Sequence, residues 1–194
     1  MIFILSGPSG SGKTTLRDLL LKDRAFKKIF VKSVSVTTRG KRAREVEGKD
    51  YFFVSKKAFS ILREKRRILE WTEYLGYYYG TKKDTVTESL KNRKSIILCL
   101  DFKGAKRVKK LYPKETVTIF VFPPSIGELR KRIQGRSCGT KKEEVLRRIE
   151  RAKAELRNAP RYDYIVRNES LTQALKKLKG IVLRKAKALK SSEV

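Results

Sequence analysis

The residues G-P-S-G-S-G-K-T, numbered 7 to 14, directly follow the apolar run I-F-I-L at residues 2 to 5. They match the phosphate-binding loop pattern G-x-x-x-x-G-K-[S/T], with a buried strand before it and an amphipathic helix after it, from Thr14 to about Lys22. Glycines allow tight turns whose N–H groups converge on phosphate oxygens, and the amino end of the helix adds positive partial charge. The stretch predicts a nucleoside triphosphate site rather than an ordinary strand-to-helix turn.

Two residues of this loop have predicted chemical roles. Lys13 is expected to place its charge on the outer phosphates, and Thr14 to hold magnesium through its hydroxyl. The residues predicted to bind the triphosphate are Gly7, Pro8, Ser9, Gly10, Ser11, Gly12, Lys13, Thr14 and Thr15. Because ATPases, GTPases, kinases and motors all use such a loop, the loop leaves the phosphoryl acceptor open.

Length and composition indicate one α/β unit. The chain has 194 residues, 40% of them hydrophobic, which is enough for a substantial core. No apolar run approaches the roughly 20 residues that span a bilayer, so we expect a cytoplasmic protein. Cys99 and Cys138 lie far apart without metal-like spacing and are expected to be free thiols. The sequence leaves a monomer and a homo-oligomer equally open.

The net charge is the unusual property of the composition. Forty-nine Lys and Arg residues against twenty Asp and Glu give +29, which raises the alternative of a nucleic-acid-binding protein. The basic residues are spread along the whole chain, however, and the acid-free segment 171–192 alternates lysines with leucine, isoleucine and valine. That pattern is typical of an amphipathic helix with a solvated basic face, so no specific nucleic-acid partner is expected.

The order of elements predicts a parallel-sheet core with two additions. Apolar strands at 96–101, 116–122 and 162–166 alternate with helical segments, as in βαβ folds. The first of them ends in Asp101, which is expected to stand on the magnesium side of the site. Residues 33–84 are predicted to form an inserted, mostly antiparallel lobe, with one strand at 30–36 and another at 51–54. Residues 135–158 are predicted to form a mobile lid, which leaves 1–32, 85–134 and 159–190 as the core.

The inserted lobe contains the residue types that would hold a phosphorylated, ring-bearing acceptor. Cations and hydroxyl donors suited to a phosphate are Ser35, Arg39, Arg42, Tyr51, Tyr79 and Thr81. A carboxylate, Glu70, lies in an aromatic neighbourhood. For a guanine ring, that carboxylate could accept from N1–H and the 2-amino group while Thr81 donates to O6, and adenine matches neither contact.

The sequence resembles the guanylate kinase family. The resemblance covers nearly the whole chain and rests on S-G-P-S-G-S-G-K-T (6–14), S-V-S-V-T-T-R (33–39), E-V-E-G-K-D-Y-F-F-V (45–54), L-E-W (69–71), Y-Y-G-T (78–81), L-D-F-K-G (100–104), P-P-S (123–125) and Y-D-Y-I-V-R-N (162–168). It implies an α/β P-loop nucleoside monophosphate kinase with a GMP-binding lobe and a lid. The implied reaction transfers the γ-phosphate of ATP to GMP with Mg²⁺.

The resemblance also implies a role for each matching residue. The clamp on the GMP phosphate corresponds to Arg39, Arg42, Tyr51 and Tyr79, and Glu45 corresponds to a residue that orients the arginines. Guanine recognition corresponds to Ser35, Glu70 and Thr81. On the ATP side, the lid arginines correspond to Arg136 and Arg148, and the adenine contact to Asn168. Asp101 is expected to serve both magnesium and GMP. Arg147 remains an alternative to Arg148, and Cys99 stands where the family commonly has an acidic residue.

Two further alternatives share this fold. One is a kinase that phosphorylates a ribose phosphate, which would have little use for Glu70 and Thr81. The other is an inactive guanylate-kinase-like module that binds phosphorylated partners, although such modules usually lose the phosphate loop and this chain keeps Lys13 and Thr14.

Overall fold

The computed structural model describes residues 1–135 and 142–191. In chain order its elements are β1 (Ile2–Ser6), α1 (Lys13–Lys22), α2 (Arg24–Ile29), β2 (Phe30–Lys32), β3 (Ser35–Thr37), β4 (Tyr51–Phe53), α3 (Lys56–Glu64), β5 (Ile68–Tyr74), β6 (Tyr77–Lys82), α4 (Lys83–Lys91), β7 (Ser95–Cys99), α5 (Phe102–Leu111), β8 (Thr116–Phe122), α6 (Ile126–Gly135), α7 (Lys142–Leu156), a 3-10 turn (Ala159–Arg161), β9 (Tyr164–Arg167) and α8 (Leu171–Ser191).

The core is a five-stranded parallel sheet in the order β2-β7-β1-β8-β9, as predicted. Residues 2–5 of the central strand β1 are fully buried because helices cover both faces. On one face Phe3 and Leu5 pack with α1 and α8, and on the other Ile2 and Ile4 pack with α4 and α5. Burial on both faces explains why the strand is apolar throughout rather than alternating.

The inserted lobe is built on a second sheet in the order β4-β3-β6-β5. Strand β6 pairs antiparallel with β3 and β5, and β3 pairs parallel with β4, so the sheet is mostly antiparallel, as predicted. Leu75 and Gly76, at φ 53° and 80°, form the two-residue turn between β5 and β6. Leu69 of β5 packs with the core residues Ala105 and Val108, so the lobe and the core share one apolar cluster.

The single strand predicted at 30–36 is wrong. The chain forms β2 in the core sheet, leaves it at the buried Ser33, and forms β3 in the lobe sheet. Alternation of apolar and polar residues continues through both pieces, so the pattern contains no signal for the change of sheet. Helix α2 was also not predicted; it begins where the Asp23 carboxylate accepts a hydrogen bond from Ala25 N at 3.0 Å.

The basic carboxyl-terminal segment forms helix α8, as predicted. Leu178, Ile181 and Val182 are buried against the core, whereas Lys176 and Lys177 are exposed. The lysines therefore form the solvated side of an amphipathic helix. A search of residues 1–135 and 142–191 finds no helix long and apolar enough to span a bilayer.

Helix α7, which lies in the predicted lid segment, packs against α6, which lies in the predicted core segment. Leu129 and Ile133 of α6 contact Val145, Ile149 and Ala152 of α7 in a small separate apolar cluster. The movement of this segment stays a prediction, as do the boundaries of core, lobe and lid. Cys99 is a free thiol at the end of β7, and Cys138 lies outside the described residues.

Asp163 joins three core elements. Its carboxylate accepts hydrogen bonds from N and Oγ1 of Thr118, both at 2.8 Å, and pairs with the ammonium group of Lys109. Burial opposes ionisation of Asp163, but Lys109 and Thr118 outweigh it and lower the pKa of the carboxyl group. The aspartate of the Y-D-Y sequence is therefore a structural residue that connects β9 to β8 and α5.

We expect Asp163→Ala to lower the free energy of unfolding by about 1 to 3 kcal/mol, because the buried Thr118 loses the acceptor for both its donors. Urea denaturation measures the change. Glu88→Ala, at an exposed position of α4, is the matched control and should change stability by less than about 0.5 kcal/mol. Equal losses in the two variants would contradict the role assigned to Asp163.

Candidate active site

The phosphate-binding loop joins β1 to α1 and depends on two glycines. Gly7 and Gly12 have φ of 136° and 98°, in the region that favours glycine. A Cβ on Gly7 would lie 2.4 Å from the carbonyl oxygen of Val121, and one on Gly12 would lie 2.2 Å from Nδ2 of Asn168. The loop therefore lies directly against β8 and the residue that follows β9, where a side chain does not fit.

Lys13 folds back over the loop. Its Nζ donates hydrogen bonds to the carbonyl oxygens of Gly7, at 2.5 Å, and Pro8, at 2.9 Å. Asn168 supports the loop from the other side, since its Nδ2 donates to the Ser11 carbonyl oxygen at 2.8 Å and its side chain is buried. The loop and the charge of Lys13 are thus arranged in advance of any triphosphate.

One cavity of about 400 Å³ lies between the loop, the lobe and α7. Predicted residues that line it are Gly7, Ser9, Gly10, Gly12, Lys13 and Thr14 from the loop, Ser35, Arg39, Arg42, Tyr51, Glu70 and Tyr79 from the lobe, and Asp101 and Arg148. The structure thus brings the donor-side and the acceptor-side residues to a single cavity.

Other predicted residues lie outside the lining. Among the described ones these are Pro8, Ser11, Thr15, Glu45, Thr81 and Asn168. Arg136 lies outside the described residues. Asn168 is buried beneath the loop, and its contact with adenine stays a prediction. Thr15 is exposed at the start of α1.

The lobe presents cations and phenols to the cavity, and Glu45 orders the two arginines among them. The Arg39 guanidinium donates to Glu45 Oε1 at 2.6 Å and lies over the ring of Tyr51, 5.5 Å from its centroid. The other oxygen of Glu45 accepts from the backbone N of Arg42 at 2.9 Å. Tyr51 and Tyr79 meet edge to face at 5.9 Å between centroids. This arrangement suits the binding of a phosphate, through charge-assisted and hydroxyl hydrogen bonds.

Glu70 is a carboxylate buried at the meeting point of lobe and core. Only 3% of the residue is exposed, and its Oε1 accepts a hydrogen bond from Oγ1 of Thr81 at 2.5 Å. Burial raises the pKa of Glu70 to about 7, the Thr81 hydroxyl counteracts the shift, and the charge of Asp101 adds to it. In this geometry Thr81 orients Glu70, and a direct contact of Thr81 with guanine stays a prediction.

Asp101 connects the end of β7 with the start of α5. The strand ends at Cys99, two residues earlier than the predicted strand, and Asp101 caps α5 by accepting a hydrogen bond from Gly104 N at 2.8 Å. Asp101 and Thr14 line the same cavity. Carboxylate and hydroxyl oxygens are hard ligands that suit Mg²⁺, which commonly takes one or two protein ligands and fills the rest with water and phosphate oxygens.

The residues described contain no cluster of three or more His, Cys, Asp or Glu that could hold a metal on its own. The hydroxyl of Thr14 and the carboxylate of Asp101 fit a magnesium ion that also takes phosphate oxygens as ligands.

Glu155 of α7 is a cavity residue that was not among those predicted from the sequence. This residue lines the cavity, and burial raises the pKa of its carboxyl group to about 7, with Lys13 opposing and Asp101 adding to the shift. Glu155 lies seven residues after Arg148, on the same face of the helix, so helical spacing from Arg148 would have indicated it. Arg148 faces the cavity and Arg147 is exposed to solvent.

A phosphate-binding loop at the edge of a parallel sheet, opposite a lobe with arginines and a buried carboxylate, defines the class of P-loop nucleoside monophosphate kinases. The family model for guanylate kinase matches residues 1–185. The chain is 43% identical over 183 residues to the guanylate kinase of Halalkalibacterium halodurans, covering 94% of this chain and 87% of that protein. For the guanylate kinase of Bacillus subtilis the identity is 41% over 184 residues, covering 94% and 88%.

A solved structure of a guanylate kinase is also similar to this chain. The crystal structure of guanylate kinase from Anaplasma phagocytophilum superimposes with a TM-score of 0.79 at 31% identity, covering 96% of this chain and 86% of that chain. This chain belongs to the guanylate kinase family.

The burial of Glu70 predicts a pH-dependent gain in stability on Glu70→Gln. With a pKa of about 7 in the folded protein against 4.5 unfolded, the folded state holds the proton longer. The natural protein therefore loses stability relative to the variant between pH 4.5 and 7, and the full difference is present above pH 7. We expect the variant to be more stable at pH 8 by roughly 3 kcal/mol.

Urea denaturation of both proteins at pH 5 and pH 8 measures this difference. It should be several times smaller at pH 5. A difference that is the same at both pH values would contradict a buried, titrating Glu70.

Proposed function

We propose that this protein transfers the γ-phosphate of ATP to GMP, and to dGMP, giving ADP and GDP or dGDP. The observation that carries the proposal is the buried Glu70 carboxylate, which lines the same cavity as Lys13 of the phosphate-binding loop. The membership of the guanylate kinase family supports it. All substrates are soluble nucleotides, so we place the protein in the cytoplasm, in purine nucleotide metabolism, without a nucleic-acid partner.

Guanine recognition is assigned to Glu70 and Ser35. The Glu70 carboxylate can accept from both N1–H and the 2-amino group of guanine, while adenine presents an unprotonated N1 and no 2-amino group. Because Glu70 is buried, a ring that leaves it unpaired costs about 1 to 3 kcal/mol for each lost contact. Two such contacts are sufficient to discriminate strongly between the purines. Thr81 is assigned to this set through its hydrogen bond to Glu70.

The GMP phosphate is assigned to Arg39, Arg42, Tyr51 and Tyr79. Glu45 holds the Arg39 side chain and the backbone at Arg42, so the positive charge is in place before GMP binds. This order in the free protein lowers the conformational-entropy cost of binding GMP.

The donor triphosphate is assigned to the loop, with Lys13 on the β- and γ-phosphates. Lys13 donates to two carbonyl oxygens, and an anionic phosphate oxygen is a stronger acceptor than either. Thr14 and Asp101 would hold magnesium, which offsets negative charge on the phosphates. Arg136, Arg148 and Asn168 are assigned to ATP as the resemblance implies, Arg148 because it also lines the cavity.

The transfer requires no covalent intermediate and no general base. The GMP phosphate is already anionic, so its oxygen attacks the γ-phosphorus in line, the bond to the β,γ-bridging oxygen breaks, and ADP leaves. Lys13, Arg42 and Arg148 stabilise the charge on the transferred group. Closure of the predicted lid, whose residues Arg148 and Glu155 line the cavity, would exclude water that competes as the nucleophile.

The acceptor preference is the decisive test. In an assay that couples ADP formation to NADH oxidation, with GMP, dGMP, AMP, UMP and ribose 1,5-bisphosphate as acceptors, we expect kcat/KM for GMP to exceed that for AMP at least about 100-fold. Glu70→Gln should raise KM for GMP far more than KM for ATP, because its amide would place a donor against a donor. Equal rates with GMP and AMP, or a preference for the bisphosphate, would contradict the proposal.

Replacement of Lys13 in the phosphate-binding loop tests whether phosphoryl transfer and GMP binding depend on different residues. We expect Lys13→Ala to lower kcat about 100- to 1000-fold, since a preorganised charge on the transferred phosphate is lost. The dissociation constant for GMP, measured by calorimetry, should stay within about twofold. Lys22→Ala, at the exposed end of α1, is the control and should retain full activity. Equal weakening of GMP binding and turnover by Lys13→Ala would contradict the assignment.

A further inference from the structure

Gly104 occupies a helical position where its own backbone does not require glycine. It is the third residue of α5, its φ is not in the left-handed region, and its N–H is bonded to the Asp101 side chain at 2.8 Å. Glycine is a poorer helix former than every ordinary residue except proline. Its presence in the first turn, on the buried face of α5, therefore points to the surroundings of the missing side chain.

The space beside Gly104 is filled by the carboxylate of Glu70. An ideal Cβ on Gly104 would lie 2.5 Å from Oε2 and 3.2 Å from Cδ of Glu70, and 3.3 Å from Oδ1 of Asp101. The first distance is well inside van der Waals contact, so Glu70 and a side chain at position 104 cannot both keep their places.

We propose that Gly104 is a positioning residue for guanine recognition: the absence of a side chain there admits the Glu70 carboxylate against the start of α5 and sets where its oxygens face the cavity. This inference rests on the proposed function, because it concerns the same guanine site. It adds a residue from the core helix to a site otherwise formed by the lobe.

A methyl group at position 104 would displace the carboxylate rather than the backbone. The atom nearest to the added Cβ is the tip of the Glu70 side chain, whereas α5 and β5 are held together by the buried residues Leu69, Ala105 and Val108. The other oxygen, Oε1, is bonded to Thr81, which is fully buried. The Glu70 carboxylate can therefore avoid the added methyl group only by rotating or moving away from α5. Both movements disrupt its alignment with the N1–H and 2-amino groups of guanine.

The test compares Gly104→Ala with Gly180→Ala. Gly180 lies in helix α8, and a Cβ there would meet no atom within 4 Å. Both variants therefore add one methyl group to a helix, but only the one at position 104 overlaps with another side chain. We expect Gly104→Ala to raise KM for GMP roughly 10- to 100-fold and leave KM for ATP within about twofold. Gly180→Ala should match the natural protein in both.

Stability measurements exclude a purely structural role. Alanine favours the helix, so the melting temperature of Gly104→Ala should stay within a few degrees of the natural protein. GMP binding, measured by calorimetry, should weaken roughly 10- to 100-fold, in parallel with the rise in KM. Unchanged KM for GMP, parallel rises for GMP and ATP, or a large fall in melting temperature would each overturn the inference. A natural protein that fails to use GMP would instead refute the proposed function.

A double-mutant cycle with Glu70→Asp tests the contact itself. Aspartate is one methylene shorter, so its carboxylate no longer reaches the position that the added methyl group would occupy. In the Glu70→Asp background, Gly104→Ala should therefore raise KM for GMP at least about threefold less than it does in the natural protein. Equal effects in both backgrounds would show that Gly104 acts on GMP without acting through Glu70, and would overturn the inference.

Discussion

The parallel pairing of β1 with β7 places the two sides of the site next to each other. Leu5 lies in register with Cys99, the N–H of Leu100 donates to the Leu5 carbonyl oxygen at 3.1 Å, and Oγ of Ser6 donates to the Leu100 carbonyl oxygen at 2.7 Å. The phosphate-binding loop begins one residue after Ser6, and Asp101 follows Leu100. Because parallel strands end at a common edge, the phosphate-binding loop and Asp101, the proposed magnesium-side carboxylate, lie next to each other without any contribution from the lobe.

The acceptor side depends on a costly feature, a buried carboxylate. Glu70 faces its β6 partner Thr81 across a register shift in β5, and the start of α5 lies on its other side. Burial raises its pKa to about 7, so its ionised form lowers stability at the position proposed to recognise guanine. Strain and uncompensated charge collect at functional sites for this reason. The same cavity is also lined by two further carboxylates, Asp101 and Glu155, and by the cations Lys13, Arg39 and Arg148.

Much of this arrangement was predictable from local sequence. The loop pattern, the doubly buried strands and the serine cap of α3, in which Ser55 Oγ accepts from Ala58 N at 3.1 Å, are each determined by residues within one turn or strand. The division of 30–36 between two sheets was not predictable, because both halves alternate in the same way. Glu155 was missed because α7 carries many charged residues, and only the spacing of seven residues from Arg148 places Glu155 on the cavity face.

The sequence by itself determined the class of chemistry, since a glycine-rich loop followed by lysine and threonine at the start of a helix is a local structure that binds phosphates wherever it folds. It also supplied the lobe residues that match a guanine nucleotide. Only the tertiary structure decided how these residues are arranged relative to one another. Glu45 binds the Arg39 guanidinium, Thr81 donates its hydrogen bond to Glu70, and Gly104 leaves room for the Glu70 carboxylate. These contacts join residues on different elements, and their distances depend on packing that no local pattern encodes.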